Sequence, residues 1–127
     1  MDRDAEWEIR GRGHEKLDVW RLSIDLAEFV WKFTSSLPKE ERYVLVSQMR
    51  RSALSIPSNI AEGAARVSPA EKARFYTIAR GSAAELETQF VISARLGFVS
   101  RGQFDLSILD RITAMLSAMI RKQKSQH

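Results

Sequence analysis

A proline stands where a helix should not tolerate one. The segment Ser-Ile-Pro-Ser-Asn-Ile-Ala-Glu-Gly at positions 55–63 carries a helical apolar period straight through Pro57. Proline has no N–H and its ring crowds the carbonyl four residues back, here that of Ala53, at a cost of ~3 kcal/mol in a helix interior. A chain that keeps the period must compensate locally. Ser55 and Ser58 flank the proline and can serve carbonyls that a kink releases.

The rest of the chain punctuates into helices around this one. Asp18 caps a first helix, with Leu17 and Leu22 as a hydrophobic staple, running to about Ser36. Pro38, followed by Glu40 and Glu41, opens a second that bends at Pro57 and ends near Ala65. Ser68, Pro69 and Glu71 form the start signal of a third, and Gly97 supplies its left-handed stop. Ser100 and Gln103 open a fourth that reaches about Lys122. No segment reads as a strand. Short connections between long helices favour antiparallel neighbours, so the expected fold is all-α, an up-down-up-down four-helix bundle with its second helix kinked at Pro57. Residues 1–16 read as a mobile arm, 17–122 as the bundle and 123–127 as a frayed tail. Expected core stripes are Trp20, Ile24, Ala27 and Trp31; Val46, Met49, Ala53, Ile56 and Ile60; Phe75, Ile78, Ala79, Leu86 and Phe90; and Leu109, Ile112, Leu116, Met119 and Ile120.

Helix 1 is over-supplied with apolar side chains. Leu22, Leu26, Phe29 and Phe33 form a second stripe about 160° from the Trp20 stripe. One core cannot cover both, so the second stripe is expected to be the interface of a homo-oligomer. Buried polar positions set a second expectation. Ser82, Gln89 and Ser93 fall on the core stripe of helix 3 with Glu85 at its margin, and Asn59, Glu62 and Arg50 are their candidate partners in a network fixing helix register. Gly81 costs ~1 kcal/mol against Ala in an exposed helix and therefore points to a close contact. Ser47, Ser58, Ala61 and Ala65 offer a small face for close helix approach.

Chemistry is nearly absent. There is no cysteine, so neither a disulfide framework nor a thiolate metal site is available, and the two histidines, His14 and His127, lie at opposite ends of the chain. No phosphate loop, nucleophile elbow or catalytic triad is visible, and neither catalytic residues, metal nor cofactor is expected. The weak enzymatic alternative is a helical-bundle ribonuclease using Arg121 and His127 as general acid and base. No apolar run approaches the ~18 residues of a membrane span and no signal-peptide pattern appears, so a cytoplasmic location is expected. A net charge of +4, carried mostly by arginine, favours an anionic partner. Arg50, Arg51, Arg66, Lys72, Arg74 and Arg80 cluster in sequence around the turn between helices 2 and 3 and are the candidate nucleic-acid contacts, with Tyr76 available to stack on a base.

Several ordered motifs carry a resemblance: Leu17-Asp18-Val19-Trp20, Pro38-Lys39-Glu40-Glu41-Arg42-Tyr43, Ser47-Gln48-Met49-Arg50-Arg51, the Ser55–Gly63 segment, and Gly81-Ser82 through Glu85-Leu86-Glu87-Thr88-Gln89. Through them, about residues 16 to 122 resemble the bacterial 23S rRNA-intervening-sequence proteins. The resemblance implies a four-helix bundle assembled as a ring, commonly a pentamer, and a related branch comprises accessory proteins of diversity-generating retroelements thought to bind nucleic acid and a reverse transcriptase. In that light Pro57, Asn59, Glu62, Gly63, Gly81, Ser82 and Glu85 are architectural residues. The expected role is a non-enzymatic scaffold associated with RNA or DNA; the alternative is an adaptor that recruits another protein and ignores nucleic acid.

Overall fold

The computed structural model describes residues 13–126. The larger part of the expected arm, residues 1–12, and His127 lie outside them. Four long helices carry the fold: α1 (Asp18–Thr34), α2 (Ser47–Ala64), α3 (Pro69–Arg95) and α4 (Ser107–Lys124). No strand occurs among the described residues. Helix α2 packs on α1 and α3, α4 packs on α3, and α4 returns to α1, so the four enclose one core. Residues 13–16 form a 3₁₀ turn docked on α1 and α2, with the His14 ring edge-on to Trp20 at 5.2 Å.

Each terminus has its own solution. Helix α1 begins after Leu17, which gives no side-chain cap; Asp18 instead occupies the first turn, where the N-terminal dipole favours a carboxylate. At its other end Thr34, Ser35 and Ser36 turn their hydroxyls back onto the carbonyls of Val30, Trp31 and Phe33. Helix α2 is entered through a 3₁₀ turn over Lys39–Glu41 and a π turn over Arg42–Val46. Ser68 Oγ accepts from Glu71 N–H at the start of α3. Gly97, at φ 80°, ends that helix in a Schellman arrangement, with Phe98 N–H on Ser93 O and Gly97 N–H on Ala94 O.

The fourth helix starts later than the Ser100 signal suggests. Ser100 and Gln103 do form a capping box, but it closes only the 3₁₀ turn Arg101–Gln103. The chain then extends at Phe104 so that its ring stacks on Phe90 at 5.0 Å. Asp105 accepts from Ser107 N–H and Ser107 Oγ–H to start α4, and those two bonds hold its carboxyl below the ordinary value.

Core stripes match expectation on α2 and α4. On α1 they do not. Val19, Ser23, Leu26, Val30, Phe33 and Thr34 face inward, while Ile24 and Trp31 are 37% and 38% exposed. Leu26 and Phe33, expected at an oligomer interface, are core residues; Leu22 is half-buried, and the exposed Phe29 leans on Phe33 and Phe90. Aromatic packing accounts for the choice. Phe33 meets Phe90 and Phe104 edge-on at 5.0 and 5.9 Å, a cluster the Trp stripe would forfeit. On α3 Ala79, Leu86 and Phe90 are buried as expected, but Tyr76 takes the core place expected of Phe75, which is half-buried, and Ile78 is 40% exposed.

Candidate nucleic-acid interface

The Pro57 and Gly81 motifs meet across the α2–α3 contact. Ser55 Oγ and Ser82 Oγ share a 2.7 Å hydrogen bond, and the Asn59 amide donates to Ser55 O at 2.8 Å and Ser55 Oγ at 3.0 Å. Pro57 itself is buried inside the uninterrupted span of α2. Part of the expected register network therefore exists, with different members. Glu62 pairs with Arg66, Glu85 is exposed, and Arg50 turns away toward α1. Ser93 donates to Gln89 O, and Gln89 Oε1 is buried with no hydrogen-bond partner among the described residues.

Close helix approach falls at Gly63, not at Gly81. A Cβ on Gly63 would stand 2.7 Å from Tyr76 Cε1, whereas one on Gly81 would meet nothing within 4 Å. Of the small face, Ser47, Ser58 and Ala65 are exposed and Ala61 is half-buried.

The six candidate cations separate into three places. Arg66, Lys72 and Arg74 gather at the α2–α3 corner, built on Phe75: the Arg66 and Arg74 guanidinium carbons lie 4.8 and 4.4 Å from its ring centroid. Arg66 pairs with Glu62 and Arg74 with Glu71. Arg74, by hydrogen bond and then by charge, holds the Glu71 carboxyl below its ordinary value, with Arg66 adding to the effect. Lys72 Nζ donates to Ala64 O at 3.0 Å and reaches Gly63 O at 3.5 Å, capping the carbonyl end of α2. Both arginines remain exposed, and ion pairs on such a surface contribute little and exchange readily with water or a phosphate.

Arg50 and Arg51 lie ~24 Å away along α2. Arg50 Nε donates to Thr34 Oγ1 at 2.8 Å, its Nη2 reaches Trp31 O and Ser35 Oγ, and its guanidinium stacks over the Trp31 ring at 5.0 Å. It thus serves the carbonyl end of α1. Arg51 is exposed, and Arg80 donates to Ser117 Oγ across the α3–α4 contact.

Tertiary closure adds residues that sequence spacing did not single out. Lys124 comes beside Arg74 around a cavity of about 410 Å³ between the start of α3 and the end of α4. Phe75, not Tyr76, is the aromatic platform; burial of Tyr76 pushes its phenol above the ordinary value. Arg121, of the ribonuclease alternative, is exposed on α4, and its proposed partner His127 lies outside the described residues. Among the described residues no cluster of three His, Asp or Glu side chains is placed to hold a metal ion, and no helix is long and apolar enough to cross a membrane.

The chain belongs to the 23S rRNA-intervening sequence protein family, whose model matches residues 15–121. It is also similar to the crystal structure of a protein with unknown function from the S23 ribosomal protein family of Bacteroides thetaiotaomicron. The two are 24% identical, with 84% of this chain and 95% of that chain covered and a TM-score of 0.62, a likeness of fold. No curated protein matches the chain.

Proposed function

We propose that this protein is a non-enzymatic scaffold that self-associates through α1 and contacts nucleic-acid phosphates with the α2–α3 corner. The observation that carries the binding half is the pair of exposed guanidinium groups, Arg66 and Arg74, fixed on one Phe75 ring with Lys72 and Lys124 nearby. Arginine forks match phosphate oxygens, and a half-buried ring spares them part of the ordering entropy. The corner alone is weak, because Glu62 and Glu71 offset two of its charges. Repetition around an assembly would multiply it, since linked weak contacts add through effective concentration.

The association half rests on an apolar face of which Ile24 and Trp31 are exposed while Trp20 and Ala27 are half-buried against the core. Trp20, Ile24, Ala27 and Trp31 lie on one side of α1, and the stacking of Arg50 on Trp31 puts that side toward α2. Leu54, one turn beyond Arg50 on the same flank of α2, is 52% exposed and extends the patch. A contiguous apolar surface of this kind marks an interface.

Fluorescence anisotropy with a labelled 20-nucleotide RNA or DNA tests the binding half. Affinity should fall steeply with salt, and the R66E/K72E/R74E variant should lose binding while keeping its helical circular dichroism. Equal affinity of the variant and the native chain would remove the corner from consideration.

A further inference from the structure

At the opposite end of the bundle a cleft of about 430 Å³ opens between the end of α1 and the start of α2. Thr34, Ser35, Lys39, Arg42 and Arg50 line it over buried Leu37, and no carboxylate belongs to the lining. Glu40 and Glu41 lie in the same turn but outside the cleft wall. Three like charges gathered without an acid repel one another unless an anion joins them.

The local geometry prepares Arg50 for that anion. Its Nε and Nη2 are committed to α1, and its plane is held against Trp31, which leaves Nη1 of a fixed guanidinium. The same bonds, with the hydroxyls of Thr34, Ser35 and Ser36, occupy the carbonyl end of α1, whose partial negative charge would otherwise repel an anion. The π turn Arg42–Val46 brings Arg42 to the wall that holds Arg50, and π turns of this length recur at functional sites. Lys39 and Arg42 are exposed and form no ion pair among the described residues, so both are available to move onto a ligand.

We propose that this cleft binds one phosphate group, held by Arg42 as a guanidinium fork, by the remaining Nη1 of Arg50 and by Lys39 as a point charge. Its volume lies within the ~300–1,000 Å³ of small-molecule sites, enough for a phosphate with the sugar that carries it. The phosphate can come from a small phosphomonoester or from a nucleic-acid strand. The site itself does not depend on the α2–α3 corner; only the second source rests on the nucleic-acid reading.

The test is calorimetric titration of the full chain with inorganic phosphate, adenosine 5′-monophosphate and a five-nucleotide RNA. It compares the native chain, a K39Q/R42Q variant and an R66E/R74E variant, with circular dichroism as the folding control. Phosphate binding by the native chain, about tenfold or more weaker in K39Q/R42Q and unchanged in R66E/R74E, is the expected result. RNA binding weakened in K39Q/R42Q as well identifies the strand as source; RNA binding unaffected there identifies the small phosphomonoester. Absence of phosphate binding by the native chain, or equal phosphate affinity in K39Q/R42Q, overturns the proposal. RNA binding lost only in R66E/R74E then leaves the corner standing without the cleft.

Discussion

Adding one methyl group at two glycines of this bundle should move stability in opposite directions. Ala is favoured over Gly inside a helix by ~1 kcal/mol, a gain available to both Gly63→Ala and Gly81→Ala. At Gly81 nothing opposes it, because the new Cβ meets no atom within 4 Å. At Gly63 the Cβ would stand 2.7 and 2.9 Å from Tyr76 Cε1 and Cδ1 and 3.1 Å from Phe75 Cβ. Tyr76 is 3% exposed and cannot swing into solvent, so α2 and α3 must separate. Overpacking of this kind costs about 1–3 kcal/mol, and the clash exceeds the propensity gain. We expect Gly63→Ala to lose about 1–2 kcal/mol and Gly81→Ala to gain up to about 1 kcal/mol. The assay is urea unfolding followed by circular dichroism at 222 nm, at one fixed protein concentration because assembly shifts the midpoint. A Gly63→Ala protein as stable as the native chain would refute the close-approach argument. A destabilised Gly81→Ala protein would mean that another molecule packs where the isolated chain leaves open space.

Three further outcomes follow from the same contacts. Arg50→Ala should lose about 1–2 kcal/mol, since it strips Thr34 Oγ1 and Trp31 O of a charged donor, and denaturant midpoints will read it. Tyr76, whose burial raises its folded value above 10.0, contributes stability that is complete below pH ~10 and is lost as pH climbs through the folded value. Thermal melts between pH 8 and 11.5 should therefore fall less steeply for Tyr76→Phe than for the native chain. Ser55→Ala and Ser82→Ala should show coupling in a double-mutant cycle, because each removal leaves the other hydroxyl without its 2.7 Å partner; additive effects would dismiss the bond as a register device.

How far the sequence could be read depends on what each signal requires. Helices α2 and α4 carry one apolar stripe each, so periodicity alone identified their core. Helix α1 carries two, and only the aromatic cluster formed with Phe90 and Phe104 decides between them. That choice reverses the roles of Leu26 and Trp31. Phe75 and Tyr76 are neighbours ~100° apart at the edge of a stripe that rightly holds Ala79, Leu86 and Phe90, and the close approach at Gly63 gives the core place to Tyr76. The Ser100–Gln103 signal is local and correct as a capping box, but burial of Phe104 postpones the helix expected to follow it. The corner cations were legible because a single turn brings Arg66, Lys72 and Arg74 together. Lys124 and the Lys39–Arg42–Arg50 cleft were not, since closure of distant or irregular segments creates them.

The most direct test of the scaffold is the mass of the purified protein by multi-angle light scattering, alone and with a short RNA at low and moderate salt. The account predicts a particle several times the 14.5 kDa chain that takes up RNA at low salt and releases it at moderate salt. It also predicts that Ile24→Glu with Trp31→Glu reduces the particle to single chains of unchanged helicity. A native protein of 14.5 kDa that ignores RNA at both salts would contradict it.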